Sequence, residues 1–336
     1  MSRRALVTGG AGFIGVNAAA RLLSRGWSVS VLDDLSRPGT EKNLAWLRRQ
    51  GALDFTRADI RDPRAVARWV KARSKGLDFV LHLAAQVAVT TSVADPRPDF
   101  EINALGTLNL LEALRALPRK PFLLYSSTNK VYGGMEGVRV ALKGGRYAYA
   151  SRPMGCSEEE PLDFHSPYGC SKGAADQYVR DYFRIYGLPS AVLRQSCIYG
   201  PHQNGTEDQG WVAHFMRAAQ AGTGVTLYGD GRQVRDLLFI DDLVDAFEAA
   251  YRKRSLSRGR IYNIGGGPAN TLSLLELLDW IATRQGKPMR VVRKGWRPGD
   301  QKVYVCDIRR ARRELGWSPK MGVRKGLGRL WDWLAA

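Results

Sequence analysis

Two side chains that can transfer protons, Tyr168 and Lys172, lie four residues apart. On a helix this separation places both on one face, so the ammonium group can approach the phenol. A free phenol has a pKa of about 10 and is a poor base at neutral pH. Because a neighbouring cation favours the phenolate, the pair predicts a tyrosine general base. Ser126 to Thr128 end a predicted strand and place hydroxyl groups at one edge of a sheet.

A glycine-rich turn near the N-terminus, with glycines at positions 9, 12 and 15, lies between a predicted strand and a predicted helix. Gly9 permits a tight turn, Gly12 lets backbone N–H groups approach a pyrophosphate, and Gly15 allows close packing of helix on strand. Asp33 ends the second predicted strand, where a carboxylate accepts hydrogen bonds from a ribose diol and repels a 2′-phosphate. The pattern predicts a dinucleotide site that prefers NAD to NADP, a preference that Arg37 weakens slightly.

The elements that must position these residues follow an alternating pattern in the first half of the chain. Strands are predicted at residues 5–8, 28–32, 53–57, 79–83, 122–126 and 188–195, and helices at 13–25, 63–75, 100–117 and 167–186. This alternation indicates an α/β fold with a Rossmann-type, doubly wound parallel sheet. Residues 134–165 break the rhythm and predict a long ordered loop.

The second half of the chain predicts a smaller, interleaved C-terminal α/β domain for the substrate. Helices are predicted at residues 211–221, 241–252, 273–285 and 309–315, with one more sheet strand at 262–265. The dinucleotide-binding domain is therefore assigned to residues 1–196 and 236–264. The substrate domain is assigned to residues 197–235 and 265–336.

The composition limits the class of protein. The 336 residues, 44% of them hydrophobic, leave room for about two domains, and the apolar runs are too short to span a membrane. The four cysteines and four histidines are scattered, so no metal site is expected. The N-terminus leads directly into the first predicted strand, which predicts a cytoplasmic protein.

A formal net charge of +19 suits either a nucleic acid or a nucleoside-diphosphate ligand. The basic residues are spread along the chain, with no basic tail and no nucleic-acid-binding motif. The charge alone does not decide between these partners, and a non-catalytic nucleic-acid-binding protein on a dinucleotide fold is kept as an alternative.

Motifs along the whole chain resemble the extended short-chain dehydrogenase/reductase family of nucleotide-sugar epimerases and dehydratases. They are TGGAGFIG from Thr8, LDDLSRPG from Leu32, DIRD from Asp59, HLAAQ from His82, SSTNKVYG from Ser126, SPYGCSK from Ser166, GDGRQVRDLLFIDDL from Gly229 and RPGD from Arg297. The resemblance implies NAD in the first domain and a nucleotide sugar in the second. It also implies that Thr128, Tyr168 and Lys172 are the catalytic residues.

The same resemblance assigns the binding residues. Those expected at the cofactor are Gly9, Gly12, Phe13, Ile14, Gly15, Asp33, Asp34, Ser36, Arg37, Asp59, Ile60, Leu83, Ala84, Ala85, Gln86, Asn103, Ser126, Tyr168 and Lys172. Those expected at the substrate are Thr128, Cys197, Gln209, Trp211, Arg235 and Arg297. The two arginines are expected to hold the diphosphate.

Within the family, the chain most resembles the CDP-paratose/CDP-tyvelose 2-epimerase subfamily, through residues 127–133, 162–178 and 208–212. Related dehydratases carry Asp-Glu after the threonine, whereas this chain has Asn129 and Lys130. The resemblance implies inversion at C2 of a CDP-hexose or CDP-deoxyhexose through a 2-keto intermediate, without net redox change. A UDP-sugar 4-epimerase of the same fold is the alternative within the family.

The resemblance also implies a homo-oligomer, either a dimer or a tetramer. Family members pair through the helices predicted at residues 100–117 and 167–186. The faces expected to meet carry Leu108, Leu111, Tyr178 and Tyr182.

Overall fold

A computed structural model describes residues 2–297 and 300–336, so Pro298 and Gly299 of the RPGD motif lie outside the described residues. The strands are β1 (Arg4–Thr8), β2 (Ser28–Asp33), β3 (Leu53–Arg57), β4 (Leu77–His82), β5 (Phe122–Thr128), β6 (Val140–Lys143), β7 (Arg146–Tyr149), β8 (Ser190–Gln195), β9 (Cys197–Tyr199), β10 (Val225–Tyr228), β11 (Val234–Phe239), β12 (Arg260–Ile264), β13 (Thr271–Ser273), β14 (Val291–Lys294) and β15 (Val303–Tyr304).

The helices are α1 (Phe13–Ser24), α2 (Thr40–Arg48), α3 (Pro63–Ala72), α4 (Val89–Ala94), α5 (Pro96–Phe100), α6 (Gly106–Arg115), α7 (Ser166–Tyr186), α8 (Trp211–Gln220), α9 (Ile240–Arg252), α10 (Arg254–Ser257), α11 (Leu274–Gln285), α12 (Arg309–Leu315) and α13 (Val323–Ala335). A π-helical turn, Glu101–Leu105, joins α5 to α6, and a 3₁₀ turn, Asn129–Tyr132, follows β5.

A parallel sheet organises the described chain, with its seven strands in the order β12-β8-β5-β4-β1-β2-β3. This confirms the predicted Rossmann-type fold. The chain winds outward from β1 to β3 and then returns to β4 on the other side of β1. The strand order therefore reverses beside β1, and a crevice opens there at the carboxyl edge of the sheet.

The sheet is buried on both faces because alternate strand residues point to opposite sides. In β1, Val7 joins the apolar cluster under α1 and α9, while Leu6 joins the cluster under α3, α6 and α7. Trp69 and Val70 of α3 fill the second cluster, together with Leu110 of α6. Near-continuous apolar strands are what a doubly covered parallel sheet requires.

A second group of short strands lies beyond β8. Strand β11 pairs with β9, β13 and β15, and β10 pairs with β14. The domain boundary predicted at residue 236 falls within β11. Residues 134–165, predicted as a loop, contain the antiparallel hairpin β6–β7. Arg146 of this hairpin forms an ion pair with Glu276 of α11 at 2.8 Å. The pair attaches the hairpin to the C-terminal part of the chain.

The predicted oligomer face is partly wrong. Leu111 is fully buried, and Tyr182 is 6% exposed, because both pack into the core between α6, α7 and the sheet. Tyr178, 51% exposed, does lie on the surface, as do Leu105 and Ile185. Among the described helices, none has the length and apolar character needed to cross a membrane.

A buried ion pair joins α7 to β8. Arg194 donates to both carboxylate oxygens of Asp176, at 3.0 and 2.9 Å, and the two side chains are 2% and 0% exposed. The Ser127 hydroxyl donates to the same carboxylate at 2.7 Å, and Arg194 also donates to the Tyr132 hydroxyl at 3.1 Å. Every member of the network is hydrogen-bonded, which is the condition under which buried charges are tolerated.

We expect Asp176→Ala to lower the free energy of unfolding by about 3–5 kcal/mol, because it leaves the Arg194 guanidinium buried without a counter-charge. Urea unfolding followed by circular dichroism measures the change. Asp181→Ala, on the same helix, is the matched control: its pair with Arg184 is long, at 3.8 Å, and half-exposed. The control should change stability by less than about 1 kcal/mol. Equal effects of the two substitutions would contradict the assignment.

Candidate active site

The carboxyl ends of the central strands open into a cleft of about 720 Å³. The predicted residues that line it are Gly9, Gly12, Phe13, Ile14, Gly15, Asp33, Asp34, Ser36, Arg37, Asp59, Ile60, Leu83, Ala84, Ala85, Ser126, Thr128, Tyr168, Lys172, Cys197, Gln209, Trp211, Arg235 and Arg297. The cleft therefore brings together residues expected at the cofactor with residues expected at the substrate. Of the predicted site residues, Gln86 and Asn103 are not among those that line it.

The glycine turn is packed so tightly that side chains are excluded. Gly9 has a φ of +68°, and a Cβ there would lie 2.7 Å from the backbone nitrogen of Ala84. A Cβ on Gly15 would lie 2.1 Å from the Gly9 carbonyl oxygen, so the first turn of α1 packs directly on the loop. At this point the floor of the cleft consists of backbone atoms at the N-terminus of α1. Backbone N–H groups in this position can bind a pyrophosphate, and this turn is called the glycine cradle below.

Asp33 lies beside this cradle at the end of β2. Its carboxylate accepts hydrogen bonds from the backbone N–H groups of Ala11, at 3.0 Å, and Leu35, at 2.9 Å. Burial raises the pKa of Asp33, while these two backbone donors lower it. The neighbouring Asp34 accepts from the Ser36 hydroxyl at 2.7 Å and so shapes the loop after β2.

A buried carboxylate that the sequence analysis missed, Asp99, supports the wall of the cleft. It accepts hydrogen bonds from the Ser171 hydroxyl, at 2.5 Å, and from the Asn103 amide, at 3.2 Å. Asn103 in turn accepts from the backbone N–H of Gln86 at 2.9 Å and donates to its carbonyl at 3.1 Å. The cluster ties α7, next to Lys172, to the loop after β4. Its members come from separate parts of the chain, which is why no local spacing reveals it.

Tyr168 is 8% exposed at the start of α7. Burial raises the pKa of its phenol to about 12, while the Thr128 hydroxyl and the Arg37 guanidinium lower it. The expectation that a neighbouring cation lowers this pKa towards the working pH concerns the enzyme with its cofactor bound, and it stays a prediction. Burial lowers the pKa of Lys172 to about 7, so its ammonium group is a weak source of positive charge at neutral pH.

The Lys172 ammonium is held by uncharged groups. Its Nζ donates to the Ser126 carbonyl at 2.6 Å and lies 4.3 Å from the centre of the Tyr125 ring. The nearby carboxylates of Asp176 and Asp99 raise its pKa against the larger effect of burial. The position of the ammonium group is therefore set by β5 and by the fold of α7.

The two predicted diphosphate-binding arginines are both paired with carboxylates. Arg235 donates to Asp300 at 2.5 Å. Arg297 lies within 3.4 Å of the carboxylates of Glu207 and Asp208 and 3.9 Å above the Tyr228 ring. No local pattern of the sequence assigns these three acidic residues to the site, because each is far along the chain from the arginine it meets.

Arg37 connects the cofactor side of the cleft, at the loop after β2, to the side expected to bind the substrate. Its guanidinium donates to the side-chain amide oxygen of Gln209 at 3.2 Å, so the loop after β2 contacts the loop before α8. Trp211 and Cys197 line the same side of the cleft. Burial raises the pKa of the Cys197 thiol, which keeps it neutral.

Four side chains at the cleft present a buried nitrogen or oxygen atom that has no hydrogen-bond partner among the described residues. They are Thr90, Gln195, Gln203 and Gln233. In the described part of the chain, four more buried groups without a partner lie outside the cleft, at Trp69, Tyr125, Gln301 and Tyr304, whereas these four lie where a polar ligand can reach them. Together with the glycine cradle and Asp33, the set at the cleft fits a dinucleotide and a second polar molecule. An isolated glutamine carries no spacing signal, which is why the sequence analysis missed these residues.

Comparisons with known proteins identify the class. The family model described as GDP-mannose 4,6 dehydratase matches residues 6–330. The chain is 44% identical to the CDP-paratose 2-epimerase of Salmonella typhi, over 98% of this chain and 99% of the relative. The UDP-glucose 4-epimerase of Thermus thermophilus, solved as a complex with NAD, has a TM-score of 0.82 at 34% identity, with 99% of both chains covered. The dTDP-glucose 4,6-dehydratase of Streptomyces venezuelae, solved with NAD, has a TM-score of 0.84 at 31% identity, over 99% of this chain and 97% of the other.

The fold and the cleft define an NAD-dependent enzyme on a doubly wound sheet. The chain belongs to the extended short-chain dehydrogenase/reductase family of nucleotide-sugar epimerases and dehydratases. The family, the fold and the NAD cofactor predicted from the sequence are thereby confirmed.

We expect the buried Lys172 to make stability depend on pH. Its folded pKa of about 7 lies below its ordinary value of 10.5, so the unfolded chain binds more protons between these pH values. The contribution of Lys172 to the free energy of unfolding therefore rises with pH in this window, by up to about 1.4 kcal/mol per pH unit. Urea unfolding of cofactor-free wild type and Lys172→Met at pH 7, 8 and 9 should show a difference that grows with pH. Lys71→Met, at an exposed position on α3, is the control. Parallel pH profiles for wild type and Lys172→Met would contradict the burial argument.

Proposed function

We propose that the protein is a nucleotide-sugar 2-epimerase, which inverts C2 of a CDP-hexose or CDP-deoxyhexose in the manner of CDP-paratose 2-epimerase. The observation that carries the proposal is the resemblance over almost the full chain to the CDP-paratose 2-epimerase of Salmonella typhi. Thr128, Tyr168 and Lys172 line one cleft, which supports an epimerase that uses these three residues.

Inversion at C2 needs a transient oxidation, because a C–H bond at a hydroxyl-bearing sugar carbon with no adjacent carbonyl is too weakly acidic for simple deprotonation. Conversion of the C2 hydroxyl to a ketone makes C2 planar, and reduction from the other face inverts it. NAD, held by the glycine turn and Asp33, would supply a hydride acceptor and then a hydride donor, so the reaction would have no net redox change. The diphosphate must stay fixed while the sugar turns between the two half-reactions.

Tyr168 is the proposed proton acceptor and donor at the sugar hydroxyl. Its buried phenol needs added positive charge in the cleft to ionise, and the Arg37 guanidinium contributes part of it. The Thr128 hydroxyl is proposed to orient the reacting oxygen towards Tyr168, since Thr128 is 7% exposed and lies at the end of β5.

Asn129 and Lys130, in the 3₁₀ turn after β5, disfavour a dehydratase. Loss of water from the sugar needs its own acid and base. Asn129 is neutral and accepts from the Thr128 hydroxyl at 3.3 Å. Lys130 is a cation near Arg235 and Asp300, and burial lowers its pKa. Neither supplies a carboxyl group at this position.

Arg235 and Arg297 are proposed to bind the diphosphate. A diphosphate presents several anionic oxygens, which match the fork of an arginine and compete with carboxylates for it. The acidic partners Asp300, Glu207 and Asp208 limit the net positive charge of this region. The substrate must therefore replace or share existing ion pairs.

The proposal includes a cytoplasmic homo-oligomer, a dimer or tetramer, that pairs through α5 to α7. Exposed apolar side chains mark this surface: Phe100, Leu105, Tyr178 and Ile185 are between 39% and 65% exposed. We expect sizing chromatography to give at least twice the chain mass of 37.3 kDa. Tyr178→Glu with Ile185→Glu should shift the protein towards a monomer, and a monomeric wild type would contradict the proposed assembly.

The deciding experiment is proton NMR of the purified enzyme with a panel of CDP- and UDP-hexoses. A new anomeric signal from a CDP-sugar with inverted C2 coupling is the expected result. Inversion only at C4 of a UDP-sugar, the reaction named for several relatives, would replace the 2-epimerase by a 4-epimerase with the same residues. Absence of turnover with every sugar, together with tight RNA binding at physiological salt, would favour a nucleic-acid-binding protein.

We expect Tyr168→Phe to lower kcat by at least about 100-fold, because it removes the proposed general base. NAD should remain bound, since the substitution removes one hydroxyl and keeps the ring. Turnover is measured by the NMR assay, and bound NAD by absorbance after denaturation. Tyr251→Phe, at a buried tyrosine outside the cleft, should retain activity. A Tyr168→Phe enzyme with near wild-type kcat would remove Tyr168 from the mechanism.

A further inference from the structure

Gln195, the last residue of β8, has a side chain that the fold itself does not use. It is 6% exposed and lines the cleft, and its Nε2 has no hydrogen-bond partner among the described residues. Its backbone lies within the sheet, in register with Thr128 of β5 and Ile264 of β12. A buried amide N–H without a partner is unfavourable, so its presence at a cleft points to a ligand that completes it.

The register of the sheet places Gln195 at the proposed reaction centre. Ser127 and Arg194 are register partners, and both side chains reach Asp176 on α7. Because successive residues of a strand point to opposite faces, the next pair, Thr128 and Gln195, points the other way. Neighbouring strands lie about 4.8 Å apart, so Gln195 stands next to the threonine proposed to orient the reacting oxygen.

The chemistry of the group limits what it can bind. An amide N–H is a neutral donor that can bond a carbonyl, hydroxyl or phosphate oxygen, so its position beside Thr128 decides which oxygen it meets. The anionic oxygens of a diphosphate are instead matched by the arginines that line the cleft, Arg235 and Arg297. Gln195 therefore fits a neutral oxygen beside Thr128.

We propose that Gln195 Nε2 donates a hydrogen bond to a neutral ligand oxygen at the reaction centre. This inference rests on the proposed function and deepens it by naming a further contact residue. Two oxygens have the right chemistry, namely a sugar oxygen next to the reacting carbon and the carboxamide oxygen of the NAD nicotinamide. The binding experiments distinguish these two sources.

Gln195→Met is the test variant, because it keeps the length of the side chain and removes the donor. We expect it to leave the thermal midpoint of the cofactor-free protein unchanged or higher, since it removes an unpaired buried polar group. Gln195→Glu, which offers acceptors in place of the donor, should weaken ligand binding at least as much as Gln195→Met.

Two affinity measurements separate the ligands. If the partner is the sugar, the Kd for the CDP-hexose should rise at least tenfold while the Kd for CDP and the retention of NAD stay at wild-type values. If the partner is the nicotinamide, NAD should dissociate at least tenfold faster while the Kd for CDP is unchanged. Either result supports the proposal.

Gln301→Met is the matched control. Gln301 is a buried glutamine outside the cleft that donates to the Gly133 carbonyl at 2.5 Å, so its loss should lower stability without a selective effect on one ligand. The inference is overturned if Gln195→Met binds NAD and nucleotide sugar like wild type. It is also overturned if Gln195→Met loses stability as Gln301→Met does, or if Gln195→Glu equals wild type.

A failure of the proposed function gives a different result. If wild type neither binds nor converts any CDP-hexose, the 2-epimerase proposal fails. The Gln195 comparison is then made with NAD and with the nucleotide sugar that wild type does convert. An altered affinity for either in Gln195→Met still supports the contact, and unaltered affinities for both overturn it.

Discussion

The ion pair between Asp176 and Arg194 positions the functional residues of this protein. Each of three residues in its network lies close in the chain to a different residue that lines the cleft. Ser127 precedes Thr128, Arg194 precedes Gln195, and Asp176 follows Lys172 by four residues on α7. Because alternate strand residues point to opposite faces, a network fixed on one side of the sheet sets the position of the side chains on the other. The charges are buried, so a displacement that separates them leaves a charged group uncompensated, which is unfavourable.

The same exclusion of water decides the protonation of the proposed catalytic pair. Burial raises the pKa of Tyr168 to about 12 and lowers that of Lys172 to about 7, so it favours the neutral form of both groups. Charge in the cleft comes instead from groups held by hydrogen bonds, such as Asp33, or by ion pairs, such as Arg235 with Asp300. A low dielectric strengthens the effect of each charge that a ligand adds. Proton transfer by Tyr168 is thus coupled to what is bound beside it.

The local patterns of the sequence predicted the parallel sheet, the glycine turn and Asp33, because each depends on residues close together in the chain. The spacing of Tyr168 and Lys172 is likewise a property of one helix. The sequence could not predict that burial shifts the pKa values of both groups towards their neutral forms, since burial depends on everything packed around α7. It could not show that Leu111 and Tyr182 face the core, because both faces of α6 and α7 carry apolar residues. The hairpin within residues 134–165 was missed because its strands are only four residues long.

The sequence by itself determined the family, the fold class and the residues in its motifs. Only the tertiary structure decided which side chains around the cleft are hydrogen-bonded or ion-paired to each other, and which have no partner. Asp99 bonds Ser171, and Arg235 pairs with Asp300, although the members of each pair are distant in the chain. The Gln195 amide nitrogen is left without a partner among the described residues by the same packing. The physical reason is that hydrogen bonds and charges are satisfied in three dimensions, whereas a sequence pattern reports only what one helix or strand needs locally.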